Sequence, residues 1–308
     1  MWIDVLFIVL GAGLLWYGAD YVVDSASAIA AKFRISELVV GLTIVAMGTS
    51  LPEFMVTFLS AIKGLSNISV SNVVGSNIFN LGIILGTMAL IRPLRIDKKM
   101  VLRDGIFLLF VISWVMLSLW DLSMGRIAGI GLLLIFGGYL FWIASKGSRL
   151  PIEVDVVYRK CKWWDYPRLG LGVVLLALGA NLLVEHASTL ARYFGLSEWF
   201  IGVTIVAAGT SLPELATSLA AAVRGRNEIL VGNLIGSDIF NFAGVLGITA
   251  LIHPLTISPI GLLNLKISVI AVFGLLILMR TGWRLSRWEG ALLVSFNILR
   301  WLRDYLAR

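Results

Sequence analysis

The sequence is poor in charge, in cysteine and in histidine, and each shortage narrows the class of protein. Only 14% of its 308 residues are Asp, Glu, Lys or Arg, whereas a soluble domain has about 25%. A single cysteine, Cys161, excludes an internal disulfide framework. The two histidines, His186 and His253, lie near the ends of predicted helices and not beside each other, so we interpret them as interfacial residues.

The sequence contains long runs of apolar residues. Hydrophobic residues make up 59% of the chain, and its mean hydropathy is +0.94. A helix needs roughly 20 mostly apolar residues to cross a bilayer. The sequence therefore predicts an all-α membrane protein with ten transmembrane helices, at residues 3–29, 36–61, 68–91, 104–120, 126–145, 168–191, 198–222, 229–252, 263–280 and 287–306.

The net charge of +7 comes from a one-sided distribution of basic residues. Loops after odd-numbered predicted helices hold 18 of the 25 Lys and Arg residues, and the other loops and both termini hold the remaining 7. Basic residues accumulate on the cytoplasmic side of membrane proteins. The pattern predicts that the odd-helix loops are cytoplasmic and that both termini are outside. The basic excess thus indicates topology, and we expect no nucleic-acid partner.

The chain contains one sequence pattern twice, related by a shift of 161 residues without a gap from Gly18 to Ile96. Residues 44–53 match residues 205–214 at nine of ten positions, and Gly-Ser-Asn-Ile-Phe-Asn at 75–80 matches Gly-Ser-Asp-Ile-Phe-Asn at 236–241. Because each half holds five predicted helices, an odd number, the second half enters the membrane in the opposite sense. Such inverted repeats are typical of secondary transporters, which bind their substrate near the membrane midplane.

The repeat defines the predicted organisation of the chain. Residues 1–145 form the first inverted five-helix repeat, residues 146–167 a cytoplasmic linker, and residues 168–308 the second repeat. The most similar segments are 36–91 and 198–252. The two halves are expected to share one core, because neither has the character of an independent domain.

One glutamate lies near the middle of each copy of the second helix. Glu53 is the only ionisable side chain between Leu38 and Ile62, and Glu214 holds the same position in its own segment. A charge at the bilayer centre costs roughly 2.5–3.5 kcal/mol and usually marks a functional site. A protonated carboxyl or a structural ion pair is the other interpretation, but neither these segments nor the third and eighth helices contain Lys or Arg.

Hydroxyl groups and a proline beside each glutamate favour a cation site. Thr49 and Ser50 precede Glu53 by four and three residues, so the three side chains share one helical face. Pro52 has no N–H and breaks the turn before it, so carbonyls near the break, such as that of Ala46, become candidate ligands. The second copy repeats these features with Thr210, Ser211, Pro213, Glu214 and the carbonyl of Ala207.

The third and eighth helices add a polar pair each, Ser76 with Asn80 and Ser237 with Asn241. Alone, such residues in a membrane helix usually serve helix packing. Their doubling in register with the glutamate motifs favours a functional role. Every candidate ligand is an oxygen atom, the type that Ca²⁺ and Na⁺ prefer, whereas zinc or copper would call for His or Cys.

These motifs resemble the α-repeats of the sodium/calcium exchanger family of the cation/calcium antiporter superfamily. The resemblance rests on Gly-Thr-Ser-Leu-Pro-Glu at 48–53, the Gly-Ser motif at 75–80 and the second copies of both. It covers essentially the whole chain. The short middle loop is similar to that of the minimal prokaryotic members, for which the plasma (inner) membrane is the default location.

The resemblance implies a secondary active antiporter, not an enzyme, that exchanges Na⁺ for Ca²⁺ by alternating access. It implies that Ca²⁺ binds Glu53, Glu214, Thr49 and Thr210. It implies overlapping Na⁺ sites that draw on Ser50 with Ser237, Ser211 with Ser76, and the carbonyls of Ala46 and Ala207. Shared glutamates make the two loads mutually exclusive, and the first and sixth helices would slide across the other eight. The ions and membrane lipid are the implied partners, with no organic cofactor and no obligatory protein partner.

One position departs from the family pattern. Some relatives have an aspartate at the end of the second Gly-Ser motif, where this chain has asparagine in both copies, Asn80 and Asn241. Asp238 follows Ser237 directly and is turned about 100° from the ligand face, so we interpret it as a residue of helix packing or of the layer behind the ligands. With two carboxylates the number of coupled Na⁺ ions stays open.

A proton/calcium or potassium-coupled antiporter that uses the same site is the alternative function. The calcium/proton branch usually has a second acidic residue where this chain has asparagine, which disfavours proton coupling. A passive channel binds ions weakly and is commonly a symmetric oligomer, so inverted repeats around paired carboxylates fit it less well. An intramembrane hydrolase is disfavoured because no His or Lys base lies beside Ser50 or Ser211.

Overall fold

The computed structural model describes residues 2–147, 160–195 and 207–306, and most of them are helical. Four two-residue strands, β1 Leu94–Arg95, β2 Ser123–Met124, β3 Leu255–Thr256 and β4 Arg284–Leu285, lie between the helices. The helices are α1 Trp2–Phe33, α2 Glu37–Thr49, α3 Leu51–Ile62, α4 Ser66–Ile91, α5 Met100–Ser118, α6 Arg126–Gly147, α7 Asp165–Tyr193, α8 Ala207–Gly209, α9 Leu212–Val223, α10 Asn227–Ile252, α11 Pro259–Arg280 and α12 Arg287–Leu306.

Among the described residues, seven helices are long and apolar enough to cross a membrane, and the bent pair α2–α3 makes up to eight. The seven are α1, α4, α5, α6, α7, α10 and α11. Of the ten predicted spans, the seventh lies partly outside the described residues, which contain only its later part in α8 and α9. The tenth corresponds to α12, a helix with more charged residues than the other spans.

The helices on either side of the predicted linker extend into it. Helix α6 continues to Gly147, and α7 begins at Asp165, three residues before the predicted start. The Asp165 carboxylate accepts a hydrogen bond from the Lys162 backbone N–H at 2.7 Å, which fixes the chain as it enters the helix. Residues 148–159 of the linker lie outside the described residues.

The sequence repeat reappears in local structure. Helices α4 and α10 each contain a π-helical turn, Phe79–Ile84 and Phe240–Val245, at positions 161 residues apart. Strands β1 and β3 are related by the same shift, as are β2 and β4. Equivalent sequences therefore fold alike in the two halves.

The chain divides into two compact units that cut across the sequence repeats. The first compact unit comprises Met1–Pro52 and Ile143–Asn233, and the second comprises Glu53–Trp142 and Leu234–Arg308. Each unit therefore contains segments from both halves of the sequence. The repeats are units of sequence, and neither is compact by itself.

In the first compact unit, α1 and α7 lie antiparallel in close backbone contact. A Cβ atom added at Gly18 would lie 2.8 Å from the Gly172 carbonyl oxygen, and one at Gly179 would lie 2.7 Å from that of Gly11. Glycine permits this approach because it has no side chain. Ion pairs join the same two helices near their ends, Arg168 with Asp24 at 2.5 Å and His186 with Asp4 at 3.0 Å.

In the second compact unit, the four short strands form two antiparallel pairs. Strand β1 pairs with β4, and β2 pairs with β3. The Ser66 hydroxyl, at the start of α4, lies 3.5 Å from the Pro254 carbonyl oxygen beside β3, whereas α4 ends just before β1. The two strand pairs therefore lie at opposite ends of α4, as copies of one another.

Candidate ion-binding site

The first compact unit joins a hydroxyl of one repeat to the glutamate of the other. The Ser50 hydroxyl donates to Glu214 Oε1 at 2.8 Å, and both residues are fully buried, with 0% exposure. The neighbouring Thr49 hydroxyl lies 3.1 Å from Asn233 Oδ1. Two segments far apart in sequence thus build one polar cluster, the Ser50–Glu214 cluster, which also includes Thr49 and Asn233.

A break in each repeat presents these polar groups. Helix α2 ends at Thr49 and α3 begins at Leu51, with a bend of 49° between them. Ser50, in the break, and its copy Ser211, the N-cap of α9, have nearly the same backbone angles, φ −82°, ψ 9° and φ −90°, ψ 8°. The predicted break is confirmed, and it falls at Ser50 because a proline fits the first turn of the next helix, where no N–H donor is needed.

Both glutamates lie in the first turn of a helix, Glu53 in α3 and Glu214 in α9. The N-terminal end of a helix carries partial positive charge from its unsatisfied N–H groups, which stabilises a nearby carboxylate. Each glutamate is also fully buried, with 0% exposure. The break therefore places two buried carboxylates at the N-terminal ends of helices.

The carbonyl of Ala46 is not freed by the proline, contrary to the sequence-based expectation. It accepts the Ser50 backbone N–H at 3.1 Å and the Thr49 hydroxyl at 3.2 Å. The helical donor to this carbonyl is residue 50, whereas Pro52 removes only the donor to Gly48. The Ala46 and Ala207 carbonyls remain predicted ligands, and the former would have to exchange the Thr49 hydroxyl for the ion.

In the second compact unit, four side chains of α4 and α10 form a buried amide cluster. Asn80 Nδ2 donates to Asp238 Oδ1 at 3.1 Å, and Asn241 Nδ2 donates to Asn77 Oδ1 at 3.0 Å. The two hydrogen bonds are copies, since 77 corresponds to 238 and 80 to 241 under the repeat. All four residues are at most 2% exposed. Both predicted asparagine ligands lie on this amide cluster, within the two π-helical turns.

The amide oxygens of this cluster suit a cation. Among the described residues, Oδ1 of Asn80 and Oδ1 of Asn241 are buried without a hydrogen-bond donor. Such orphaned acceptors are uncommon in native proteins and call for an explanation. An amide oxygen is a good ligand for a hard cation, so two equivalent bare oxygens are the arrangement that an ion would satisfy.

Of the remaining predicted ligands, Ser76, Ser211 and Ser237 are buried and Thr210 is half-buried. The Ser76 hydroxyl donates to the Val73 carbonyl at 3.1 Å, and Ser211 and Ser237 have 0% exposure. In the part of the chain that the structure describes, the Thr210 hydroxyl has no hydrogen-bond partner. The first compact unit holds Thr49, Ser50, Thr210, Ser211, Glu214 and the Ala46 and Ala207 carbonyls, and the second holds Glu53, Ser76, Asn80, Ser237 and Asn241.

Comparison with known proteins assigns these features to a family. Residues 3–144 and 166–299 match the model of the sodium/calcium exchanger protein family. The chain belongs to the sodium/calcium exchanger family. It is 34% identical to sodium/calcium exchanger MaX1 of Methanosarcina acetivorans, over 96% of this chain and 97% of that protein. It is also 34% identical to inner membrane protein YrbG of Escherichia coli, over 96% of this chain and 94% of that protein.

A solved structure supports the same assignment. The sodium-calcium exchanger NCX_Mj matches with a TM-score of 0.86 and 34% identity, over 97% of this chain and 98% of that one. The prediction of a minimal prokaryotic member with an all-α membrane fold is confirmed, and the ten-helix inverted repeat agrees with this structural neighbour.

Four polar residues of this exchanger-family chain were not among the predicted ligands. Asn72, Asn77 and Asn233 were not singled out from the sequence, and Asp238 was assigned to helix packing or to the layer behind the ligands. Asn72 donates to the Glu53 backbone carbonyl at 3.2 Å and to the Thr57 hydroxyl at 3.0 Å, and its repeat copy is Asn233 of the Ser50–Glu214 cluster. Asn77 and Asp238 are the copies that hold Asn241 and Asn80. The 161-residue shift would have found both pairs, because a polar residue recurs at each position inside an apolar helix.

The two histidines of the chain lie away from these clusters. His186 Nδ1 is 3.0 Å from Asp4 Oδ1, and its ring stacks on Phe7 with centroids 4.5 Å apart. His253 is half-buried and follows the end of α10. Neither histidine is close in sequence to a predicted ion ligand.

Proposed function

We propose that this chain is a secondary active antiporter that exchanges Na⁺ for Ca²⁺ across a membrane. Its relatives MaX1 and NCX_Mj are named as sodium/calcium exchangers. The observation that carries the proposal is the fully buried Glu214 carboxylate, which accepts a hydrogen bond from Ser50 of the other repeat. A buried carboxylate surrounded by hydroxyl and amide oxygens is suited to a hard cation.

The negative charge of the buried glutamates explains why a cation would bind beside them. An ionised carboxylate without water is costly unless an opposite charge compensates it. Glu53 and Glu214 are both fully buried and both lie at helix N-termini. Na⁺ and Ca²⁺ differ in charge but share the preference for oxygen, so either ion serves the same carboxylates. Exchange follows because one set of carboxylates cannot hold both loads at once.

The Ser50 hydroxyl supplies a local switch for this exchange. In the structure its proton is directed to Glu214 Oε1. A hydroxyl also has two acceptor lone pairs, so when a cation binds Glu214 the proton can turn away and the oxygen can join the ligands. Asn80 and Asn241 contribute neutral amide oxygens, which add ligands without adding charge.

Alternating access is proposed to involve α1 and α7, the first and sixth predicted helices. Their glycines pack backbone against backbone, and ion pairs join them near both ends. These contacts support movement of α1 and α7 as one body, because sliding one past the other would place Cβ-bearing residues at the glycine crossings.

The location and orientation of the chain are part of the same proposal. We place it in a prokaryotic plasma (inner) membrane with both termini outside, the arrangement that the basic loops favour. The Escherichia coli relative is named an inner membrane protein. The proposed partners are Na⁺, Ca²⁺ and membrane lipid, without an organic cofactor or an obligatory protein partner.

The test is uptake of ⁴⁵Ca²⁺ by proteoliposomes loaded with Na⁺, K⁺ or acid. The proposal predicts uptake that requires the Na⁺ gradient and is lost in Glu214→Gln. Glu185→Gln is the matched control, because Glu185 is an exposed glutamate of α7 and its loss should leave transport intact.

Other outcomes assign other functions. Uptake driven by the acid or K⁺ gradient would replace Na⁺ coupling by proton or potassium coupling while keeping the site. Calcium flux that needs no counter-ion gradient would make the chain a channel and would overturn the antiporter proposal.

A further inference from the structure

The two strand pairs of the second compact unit are copies of one structure with very different charge. Strand β1 pairs with β4 through Leu94–Leu285 and Arg95–Arg284, and β2 pairs with β3 through Ser123–Thr256 and Met124–Leu255. Under the repeat, Arg95 corresponds to Thr256 and Arg284 to Ser123. The fold is therefore satisfied by two small hydroxyl residues at one end of the unit and carries two arginines at the other.

Arginines directly opposite each other across a strand pair repel, which destabilises the pairing. Arg95 and Arg284 are both exposed, and no ion pair joins either of them to another described residue. The nearby acid is Glu289, whose carboxylate already accepts the Ser286 N–H at 2.7 Å and the Thr281 hydroxyl at 2.9 Å. Glu289 is near enough to interact electrostatically with Arg284, but no ion pair joins either opposed arginine to an acid within the described chain.

Other cations surround this pair at the same end. The segments that flank the strands bring five more exposed basic residues, Arg92, Lys98, Lys99, Arg280 and Arg287, against the acids Asp97 and Glu289. Residues 120–126 and 252–258, which flank the other strand pair, contain only Asp121, Arg126 and His253 as titratable residues. We name the seven basic residues around β1 and β4 the basic strand-pair patch.

Apolar and aromatic side chains accompany the patch. Trp288 is 86% exposed and Ile91 is 54% exposed, next to Arg287 and Arg92 in sequence. Exposed tryptophan is typical of the headgroup level of a membrane, where its ring is half in apolar and half in polar surroundings. A ligand that contacts both the arginines and these apolar side chains would need an anionic headgroup and an apolar tail.

We propose that the basic strand-pair patch binds the phosphate headgroup of an anionic membrane lipid, with Arg95 and Arg284 as its main ligands. Arginine suits this role because its planar guanidinium donates two hydrogen bonds to one phosphate. The bound phosphate supplies the negative charge that the opposed arginines require. Anionic lipids of the cytoplasmic leaflet attract such basic clusters, and the loops of this patch are the ones predicted to be cytoplasmic.

Topology alone does not account for this arrangement. A basic excess orients a membrane protein wherever the charges lie on the loops, so it gives no reason for two arginines in register on paired strands. Two of the other patch cations have partners of their own, since Lys98 lies 5.2 Å from the Trp283 ring centroid and Arg287 donates to the Ile91 carbonyl at 3.3 Å. Arg95 and Arg284 are the pair that the repeat shows to be unnecessary for folding.

The experiment is native mass spectrometry of the full chain in detergent, titrated with phosphatidylglycerol or with phosphatidylcholine. Detergent solution removes membrane orientation from the measurement. The test variant is Arg95→Thr with Arg284→Ser, the residues that the other strand pair already has. The control variant is Lys160→Gln with Lys162→Gln, which lowers the net charge equally on another predicted cytoplasmic segment. Thermal unfolding of both variants verifies that they fold.

We expect phosphatidylglycerol to bind the parent chain and the lysine control with similar affinity, and to bind the arginine variant about tenfold or more weakly. Phosphatidylcholine should show no such difference. Equal phosphatidylglycerol binding by the arginine and lysine variants would overturn the proposal and leave the patch as a topology signal. Full displacement of the lipid by millimolar inorganic phosphate would also overturn it, because the ligand would then be a free anion.

Discussion

The Ser50 hydroxyl is proposed to have two alternative partners, the Glu214 carboxylate and a bound Na⁺ ion. In the structure the hydroxyl donates to the carboxylate at 2.8 Å, and in the proposed Na⁺-loaded state its oxygen binds the ion. Thr49, by contrast, lies against Asn233 and the Ala46 carbonyl and is the hydroxyl implied for Ca²⁺. We therefore propose that these two neighbouring hydroxyls distinguish Na⁺ from Ca²⁺.

Ser50→Ala should weaken Na⁺ more than Ca²⁺. The substitution removes one oxygen ligand of the proposed Na⁺-loaded state, so the half-saturating Na⁺ concentration for Ca²⁺ exchange should rise about tenfold or more, equivalent to about 1.4 kcal/mol. Ca²⁺/Ca²⁺ exchange should change much less. Ser113→Ala is the control, because the Ser113 hydroxyl bonds only to Leu109 of its own helix. Equal weakening of both ions would contradict the assigned role of Ser50.

Asp238 is expected to act through Asn80. Its carboxylate accepts a hydrogen bond from the Asn80 side-chain amide at 3.1 Å. Asp238→Asn should preserve this hydrogen bond, because the equivalent Asn77 holds Asn241 in the same way at 3.0 Å. Asp238→Ala should leave the buried amino group of Asn80 unsatisfied, at a cost of about 1–3 kcal/mol. Thermal unfolding and Ca²⁺ affinity measure the two effects. Equal Ca²⁺ affinity in the alanine and asparagine variants would remove Asp238 from the site.

At the scale of secondary structure, the break between α2 and α3 decides where the glutamates lie. Pro52 disfavours helix through Ser50, and the resulting 49° bend starts a new helix whose first turn contains Glu53. Pro213 does the same before Glu214. A straight helix would lose the second N-terminus and with it the partial positive charge beside the carboxylate.

Pro52→Ala and Pro213→Ala should each reduce the Ca²⁺ transport rate by about tenfold or more, because alanine allows the helix to continue through the break. Pro259→Ala is the control, since Pro259 lies in the first turn of α11 after the Ser258 cap and away from the glutamate motifs. Its transport rate should stay within about twofold. Unchanged transport in both glutamate-motif variants would show that the break is not required.

The glycine contacts of α1 and α7 offer a matched pair of substitutions. A Cβ atom at Gly18 would lie 2.8 Å from the Gly172 carbonyl, whereas one at Gly13 of the same helix meets nothing within 4 Å. Gly18→Ala should therefore force the helices apart, with a loss of about 1–3 kcal/mol, and should lower the melting temperature and transport together. Gly13→Ala should change neither. The same melting temperature for both variants would disprove the close contact.

The helices of this protein could be predicted from the sequence better than its strands and π-helical turns. Hydropathy and the repeat predict the helical fold, the break at each glutamate and the burial of both glutamates, because these depend on composition and spacing. The two-residue strands β1 to β4 were not predicted, since so short a strand leaves no alternating pattern. The π-helical turns were missed as well, because they change hydrogen bonding without changing the apolar run.

Long-range polar pairing was the harder part of the site. The contact of Thr49 with Asn233 joins side chains 184 residues apart, and no local signal in either segment predicts it. From its helical angle, Asp238 was interpreted as a residue of helix packing or of the layer behind the ligands. The structure shows that it accepts a hydrogen bond from Asn80, which the angle alone does not predict. At the earlier start of α7, the Asp165 carboxylate accepts the Lys162 backbone N–H, a local contact that the apolar pattern does not show.

For the whole molecule, the central claim is that Na⁺ and Ca²⁺ compete for the same buried carboxylates. The most direct test is equilibrium ⁴⁵Ca²⁺ binding to the purified chain at a series of Na⁺ concentrations. Our account predicts that the apparent Kd for Ca²⁺ rises continuously with Na⁺ while the number of sites stays constant. Glu53→Gln and Glu214→Gln should each abolish Ca²⁺ binding, and Glu185→Gln should not. Ca²⁺ binding that is indifferent to Na⁺, or that survives both glutamine variants, would contradict the account.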